Sequence, residues 1–221
     1  ADHAQEAGAP CTARVIRSLA KVRESDTRIG RKMRHWKGLT LKDAMPLRVT
    51  GGLHYLTLSG AETGLMPVYS GQITDQNAID QRVLDIAIEH DDALTPWLDG
   101  PPQTNEAGRS ASIMAGLLWV AQRVAPRFEL FELGASAGVN TMIDRYRFDL
   151  GGTVVGPAGS PMQIAPGWRG KRAPPAAPEG FAITKVRGCD VAPIDLSDPD
   201  AALRLKAYVW PDALERMIAA R

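Results

Sequence analysis

The residues of this chain that could do chemistry are concentrated in residues 128–140, FELFELGASAGVN. The apolar start predicts a strand, residues 134–138 (GASAG) predict a tight turn, and residues 139–146 have helical spacing. A strand, a glycine turn and a helix start present backbone N–H groups to a ligand at the end of the strand. The pattern therefore predicts a ligand site formed by Glu132, Gly134, Ser136 and Gly138.

Two kinds of functional site have this pattern. Glu-x-Gly-x-x-x-Gly, from Glu132 to Gly138, resembles the first motif of class I methyltransferases, which use S-adenosylmethionine as cofactor. In that family the glycines let the methionine part of the cofactor approach the backbone. The same stretch also matches Gly-x-Ser-x-Gly, the nucleophile elbow of serine hydrolases, with Ser136 as the nucleophile. A third interpretation is a strand-to-helix turn whose glycines serve only packing.

The surrounding sequence favours the cofactor interpretation. A hydrolase of this type places its histidine after the serine, whereas all four histidines here precede Ser136. No His-Gly-Gly stretch for an oxyanion hole precedes it either. The acidic Glu132 also suits a cofactor with a cationic end. We therefore expect S-adenosylmethionine, with the packing turn and the hydrolase as alternatives.

A second group of polar residues precedes the strand, in residues 103–110 (QTNEAGRS). Thr104 or Asn105 is a natural N-cap, and Glu106 suits the first turn of a helix. The density of polar side chains, with Arg109 one turn beyond Asn105, exceeds what capping needs. We therefore predict that Asn105, Glu106 and Arg109 line the pocket of the glycine loop.

Asp190 is the predicted ribose ligand. Residues 181–188 (FAITKVRG) predict a second strand that ends at Cys189 and Asp190. In nucleotide-binding α/β folds, an acidic residue at this place accepts hydrogen bonds from the ribose hydroxyls. The spacing exceeds the roughly 20 residues expected after the glycine loop, so residues 147–180 must loop out. Asp195 is an alternative ligand, and either aspartate could instead cap the next helix.

Composition excludes several classes of partner. A net charge of +1 gives no sign of nucleic acid or an anionic membrane as partner. No apolar run approaches the ~18 residues of a membrane span, and the N-terminus lacks a secretory apolar segment. Cys11 and Cys189 are far apart and are expected to be free thiols. These features predict a cytoplasmic protein whose partner is a small-molecule cofactor.

The chain before the glycine loop predicts helices. Residues 1–100 form amphipathic segments with short breaks, and Gly-Pro-Pro at 100–102 marks the domain boundary. The acidic run at 89–92 lies along a helix, where consecutive side chains fan out, so no metal site is predicted. After the loop, residues 147–150 and 153–155 predict a hairpin, 156–180 a Pro- and Gly-rich insertion, and Asp212 the start of a last helix with Leu214, Met217 and Ile218.

Several motifs occur in an order that resembles a known family. They are QTNEAGR, FELGASAGVN, DRYRFDLGG, WRG, VRGCDVAPIDL and AYVWPDALER. Together they resemble the bacterial domain-of-unknown-function family 2332, most strongly from Gln103 onward. The resemblance implies a fold similar to that of the S-adenosylmethionine-dependent methyltransferases and supplies no substrate. One departure is Ala213, where the family usually has Gln after Trp-Pro-Asp.

The expected fold class is α/β. We predict a helical domain at 1–100 and, at 101–221, a Rossmann-like, methyltransferase-like domain with a parallel sheet. Only two confident strands lie in that part, so we expect the N-terminal portion of a longer domain. The expected function is S-adenosylmethionine binding with methyl transfer to an unknown acceptor. The alternatives are a non-catalytic Rossmann-like module for a nucleotide or protein and a serine hydrolase.

Overall fold

The structure is a computed structural model that describes residues 1–40 and 42–213. It is a mixed α/β chain with two compact units. One unit contains Ala1–Thr104 together with the chain from Ser197 onward, and the other contains Asn105–Leu196. The sequence pattern places everything after residue 100 in one domain, whereas in the structure the chain returns to the helical unit after Leu196.

Nine α-helices occur within the described residues. They are α1 (Asp2–Glu6), α2 (Pro10–Glu24), α3 (Arg28–Arg34), α4 (Met45–Ser59), α5 (Met66–Tyr69), α6 (Gln76–Glu89), α7 (Asp91–Leu94), α8 (Ser110–Ala121) and α9 (Pro199–Ala207). Short 3-10 helices span Thr95–Leu98, Ala107–Arg109 and Val139–Arg145. None of the helices in this part of the chain is both long and apolar enough to cross a membrane.

The helical unit has an apolar core between α2, α4 and α6. Val15, Leu53 and Val83, one from each of these helices, are almost fully buried in it. The Gly51-Gly52 pair in α4 allows aromatic side chains to lie directly on the helix backbone. A Cβ on Gly51 would lie 2.7 Å from the Tyr208 ring, so this pair marks close packing, as one interpretation of the sequence predicts.

Asp212 has a different role from the predicted one. Its carboxylate accepts hydrogen bonds from the Cys11 and Thr12 N–H groups, both at 2.8 Å, and from the Thr12 hydroxyl at 2.6 Å. Asp212 thus caps the N-terminal turn of α2 from 200 residues away in sequence. The last helix predicted over Leu214, Met217 and Ile218 lies outside the described residues.

The second unit contains two small sheets. Strand β1 (Arg127–Leu133) pairs in parallel with β5 (Ala182–Cys189), as the second predicted strand requires. Strands β2 (Arg147–Leu150) and β3 (Thr153–Val155) form the predicted antiparallel hairpin, and β4 (Gln163–Ile164) adds in parallel to β2. The described strands thus form a two-stranded and a three-stranded sheet, and a Rossmann-like sheet is not confirmed.

The core of this unit lies between α8 and the hairpin. Its most completely buried side chains include Met114 and Leu118 of α8 and Phe148 and Leu150 of β2. Trp168, in the Pro- and Gly-rich insertion, is an anchor, because a Cβ on Gly151 would lie 2.7 Å from its ring. Its indole N–H also donates to the Arg172 carbonyl at 3.1 Å.

The helix predicted over 139–146 is present, but as a 3-10 helix and not as an α-helix. The structure has a 3-10 helix at Val139–Arg145, with non-helical backbone at Met142. The Tyr146 hydroxyl donates to the Val139 carbonyl at 2.6 Å. In an α-helix, the Val139 carbonyl would accept from the backbone N–H four residues later. Here the Tyr146 hydroxyl takes that place, so a local side-chain hydrogen bond competes with the regular α-helix.

We expect Asp212→Asn to lower the free energy of unfolding by about 1–2 kcal/mol, because a charged cap of α2 is lost. Burial raises the pKa of the Asp212 carboxyl, but the hydrogen bonds from Thr12 and Cys11 outweigh it and hold the pKa below its ordinary value. A depressed pKa in the folded state contributes stability above the unfolded-state value of about 4. The difference between wild type and variant in urea unfolding should therefore shrink as the pH falls below 4.

The control is Asp26→Asn, which changes an exposed aspartate whose Oδ1 lies 3.9 Å from Arg34 Nη2 in a long ion pair. It should leave the unfolding midpoint within experimental error. Equal stability of Asp212→Asn and wild type at pH 7 would contradict the assigned role.

Candidate functional site

The glycine loop follows β1 and depends on backbone in the left-handed region. Gly134, Ser136 and Gly138 have φ of +77°, +53° and +73°. A Cβ on Gly134 would meet nothing within 4 Å, and one on Gly138 would lie 3.4 Å from the Thr141 hydroxyl. Backbone conformation, and not crowding, therefore requires these two glycines. Ser136 adopts the same region with a side chain, at a cost of about 1–3 kcal/mol that its surroundings must offset.

The N–H groups of the loop are largely used inside the protein. The Gly134 and Ala135 N–H groups both donate to the Cys189 carbonyl, at 2.9 and 3.0 Å. The Gly138 N–H donates to the Ala135 carbonyl at 2.7 Å. The sequence pattern indicated that these N–H groups point at a ligand, but in the structure they donate within the protein. The end of β5 supplies the acceptor for Gly134 and Ala135, and the loop itself supplies the acceptor for Gly138.

Asp190 holds the centre of the loop. One carboxylate oxygen accepts from the Ser136 N–H at 2.7 Å, and the other accepts from the Ala192 N–H at 2.9 Å. These hydrogen bonds, from Ala192 and then Ser136, hold the pKa of the Asp190 carboxyl below its ordinary value. The predicted acidic residue at the end of the second strand therefore lies beside the glycine loop. Its role toward a ribose stays a prediction.

Gly188 lets β5 approach the loop closely. A Cβ there would lie 2.6 Å from the Ala135 Cβ and 2.9 Å from the Thr141 Cγ2. Because these neighbours are a Cβ and a β-branched methyl, they cannot swing away as the end of a long side chain could. The contact between Gly188 and the loop therefore needs a residue without a side chain.

Three buried polar atoms at the loop have no hydrogen-bond partner among the residues that the structure describes. They are Glu132 Oε2, Ser136 Oγ and Asn140 Oδ1. The Asn140 amide nitrogen donates to the other Glu132 oxygen, Oε1, at 3.3 Å. This bond orients the amide, so the atom left over is an acceptor. Leaving a buried acceptor unsatisfied costs about 1–3 kcal/mol, which makes these atoms the feature that needs an explanation.

Asn105 also belongs to this site. Its side-chain oxygen accepts from the Val139 N–H at 2.8 Å and so fixes the exit of the loop. Glu106 and Arg109 form an ion pair with each other at 3.7 Å, with side chains 38% and 54% exposed. The structure therefore brings Asn105 to the loop as a positioning residue and gives Glu106 and Arg109 a shared surface contact.

Five predicted residues, together with Asn105, share the loop. They are Glu132, Gly134, Ser136, Gly138 and Asp190. Sequence reasoning missed Asn140 and Gly188. The signal for Asn140 was a lone amide at the start of an apolar helical pattern. Gly188 had no signal, because its role is visible only once β5 lies beside the loop.

Within Asn105–Leu196, Ser136 lacks the histidine base that a serine nucleophile of this type needs. Ser136 Oγ is buried, and its acidic neighbour Asp190 accepts from the Ser136 N–H. Asn105–Leu196 contains no histidine. Nucleophile elbows also hold their serine at positive φ, but here the Ser136 backbone is bonded to Asp190 and Ile194, which follow β5.

Fold and site together define a mixed α/β protein in which a glycine loop and an acidic residue meet at the ends of two parallel strands. The sequence profile of a family described as "Uncharacterized protein conserved in bacteria (DUF2332)" matches residues 1–220. The chain therefore belongs to this family. Neither the curated proteins nor the solved structures gave a match.

We expect Gly188→Ala to destabilise the second unit by about 1–3 kcal/mol, because the added methyl overlaps Ala135 and Thr141. The matched control is Gly116→Ala in α8, an exposed helical position where a Cβ meets nothing within 4 Å. That change should be neutral or should stabilise by roughly 0.5–1 kcal/mol. Urea unfolding of both variants measures the difference, and a tolerated Gly188→Ala would show that the loop does not need this close approach.

Proposed function

We propose that residues 132–140 bind a small molecule through an ammonium group, and that S-adenosylmethionine is this ligand. The observation that carries the proposal is a pair of buried acceptors, Glu132 Oε2 and Asn140 Oδ1, for which the described part of the chain supplies no hydrogen-bond partner. The two side chains are joined by a 3.3 Å hydrogen bond, so their free acceptors belong to one small region.

An ammonium group fits this region better than a phosphate does. It carries three donors and no acceptor, and its bond to a carboxylate is charge-assisted. A phosphate would instead need donors, whereas Gly134, Ala135 and Gly138 already donate within the protein. A phosphate would also lie beside the acidic Glu132 and Asp190. The charge and hydrogen-bonding pattern therefore favours an amino-acid-like cofactor over a dinucleotide.

Asp190 supports the same ligand in part. Its carboxylate accepts from the Ser136 and Ala192 N–H groups at 2.7 and 2.9 Å, and the Val191 N–H adds a third backbone hydrogen bond. The two oxygens together have four lone pairs, so one is left for a ribose hydroxyl. In this proposal Glu132 and Asn140 hold the amino end, and Asp190 both shapes the loop and contacts the ribose.

S-adenosylmethionine would supply an activated methyl group, so the chemistry asked of the protein is alignment of an acceptor. The backbone bonds from the loop to Cys189 and Asp190 fix the loop in position. Glu132 and Asn140 can then hold the amino end of the cofactor in one place. No residue of the site is assigned as general base. A non-catalytic module would bind with the same contacts and release no S-adenosylhomocysteine.

We expect Glu132→Gln to weaken S-adenosylmethionine binding by about 10- to 100-fold, because a charge-assisted hydrogen bond is worth about 1.5–3 kcal/mol. Isothermal titration calorimetry with S-adenosylmethionine and S-adenosylhomocysteine measures this, since both carry the ammonium group. The matched control is Glu129→Gln, an exposed position on the same strand, which should bind as wild type does.

Asp190→Ala is the weaker test, because it also releases the Ser136 and Ala192 N–H groups and disturbs the loop. Absence of binding to wild type at millimolar concentrations of both ligands would refute the proposal. Equal affinity of Glu132→Gln and wild type would refute the assigned contact. Release of S-adenosylhomocysteine on adding candidate acceptors would separate a methyltransferase from a binding module.

A further inference from the structure

A second cluster of ligating atoms lies in the helical unit, apart from the glycine loop. It consists of Glu62, in the turn after α4, and of Glu89 and His90 at the end of α6. One ligand atom from each residue lies within 4.8 Å of the other two. This is the one such group of three among the described residues. One imidazole and two carboxylates form a donor set that first-row divalent metals bind.

Two of these residues are held in place before any ion binds. The Glu62 N–H donates to the Leu56 carbonyl at 3.1 Å, and Glu62 Oε1 accepts from the Gly64 N–H. The His90 N–H donates to the Ile86 carbonyl at 2.9 Å. Both side chains are only 21% exposed. A preorganised pair of ligands loses little conformational entropy on binding.

The His90 and Glu62 side chains are farther apart than a hydrogen bond would place them. His90 Nε2 lies 3.5 Å from Glu62 Oε2, whereas N–H···O bonds are about 2.7–3.2 Å long. His90 Nε2 is buried and has no hydrogen-bond partner within the part of the chain that the structure describes. Two ligands with bonds of about 2.1 Å to a tetrahedral Zn²⁺ are ~3.4 Å apart. The observed distance therefore matches the edge of a metal coordination sphere.

The two aspartates that follow His90 are engaged elsewhere. The Asp91 carboxylate accepts from the Arg28 and Ile29 N–H groups at 2.6 and 2.9 Å, at the start of α3. Asp92 forms an ion pair with the Arg28 side chain. Within 89–92, only Asp91 and Asp92 thus turn away, whereas Glu89 and His90 approach one another, and the third residue of the cluster, Glu62, comes from a loop distant in sequence.

We propose that Glu62, Glu89 and His90 form a site for a divalent transition-metal ion, with Zn²⁺ as the best match. Glu62 and His90 are the fixed ligands, and the exposed side chain of Glu89 closes onto the ion. Three protein ligands leave one tetrahedral position for water or another ligand. The competing explanation is an ion pair between a protonated His90 and Glu62, which needs no metal.

The test is calorimetric titration of chelator-treated protein with ZnCl₂. We expect one equivalent to bind, with affinity lowered at least 10-fold in His90→Gln and in Glu62→Gln. Glu89→Gln removes an exposed ligand without touching the fixed pair, so it keeps the test valid if either of the other variants folds poorly. The fold of each variant is checked by circular dichroism.

Three controls separate this site from other zinc ligands. His35→Gln changes an exposed histidine whose Nδ1 lies 2.8 Å from the Arg31 carbonyl, and Cys189→Ser removes the exposed thiol. Both should bind Zn²⁺ as wild type does, and so should Glu132→Gln. Substitution with Co²⁺ should give visible d–d bands of tetrahedral intensity, which His90→Gln abolishes.

The result that overturns the proposal is no Zn²⁺ binding at millimolar metal, or binding that none of the three ligand variants weakens. In that case the pair is an ion pair only. This outcome is independent of the glycine loop, since the S-adenosylmethionine titration uses different residues and a different unit.

Discussion

The parallel pairing of β1 with β5 is the constraint on which the candidate site depends. Parallel strands bring their carboxyl ends to the same edge, and the register places Glu132 beside Gly188 and Leu133 beside Cys189. The next residue, Asp190, consequently reaches the backbone of Ser136. The β-ladder thereby leads to a hydrogen bond between two residues that are 54 positions apart in sequence. The connection between the strands carries the hairpin, the insertion and most of the unit's core.

In both units, a carboxylate accepts hydrogen bonds from backbone N–H groups that regular secondary structure leaves without a partner. In the helical unit, Asp212 accepts the first N–H groups of α2, and in the second unit Asp190 accepts the Ser136 N–H of the glycine loop. In each case a carboxylate from a remote segment satisfies backbone donors that have no partner within their own element. Hydrogen bonds of this kind favour the ionised carboxylate and so depress its pKa.

The chemistry of the glycine loop follows from what these bonds leave over. The backbone N–H groups of Gly134, Ala135, Ser136 and Gly138 all donate within the protein. Among the residues that the structure describes, the buried polar atoms of the loop that lack a partner are oxygens of Glu132, Ser136 and Asn140. Our proposal of a cationic, donor-rich ligand rests on these surplus acceptors and on the acidic Glu132. This differs from the usual glycine loop after a strand, in which free N–H groups select an anion.

The sequence by itself determined the local elements of the site. The apolar run of β1, the glycines of the loop, the second strand and the hairpin each have a pattern within a few neighbouring residues, and the structure confirms them. The motifs also indicated the family, which the match over residues 1–220 shows. The helix predicted after the loop is a 3-10 helix with a kink at Met142. No periodic pattern indicated this, because the Tyr146 hydroxyl that satisfies the Val139 carbonyl is a side-chain interaction.

Only the tertiary structure decided which polar groups are already satisfied. That Asp212 caps α2, that Gly188 packs on Ala135, and that Glu62 joins His90 all depend on segments distant in sequence. Residue types and spacing specify which donors and acceptors exist. Whether a given oxygen is left without a partner depends on the positions of groups brought together by packing, and no local pattern carries that information.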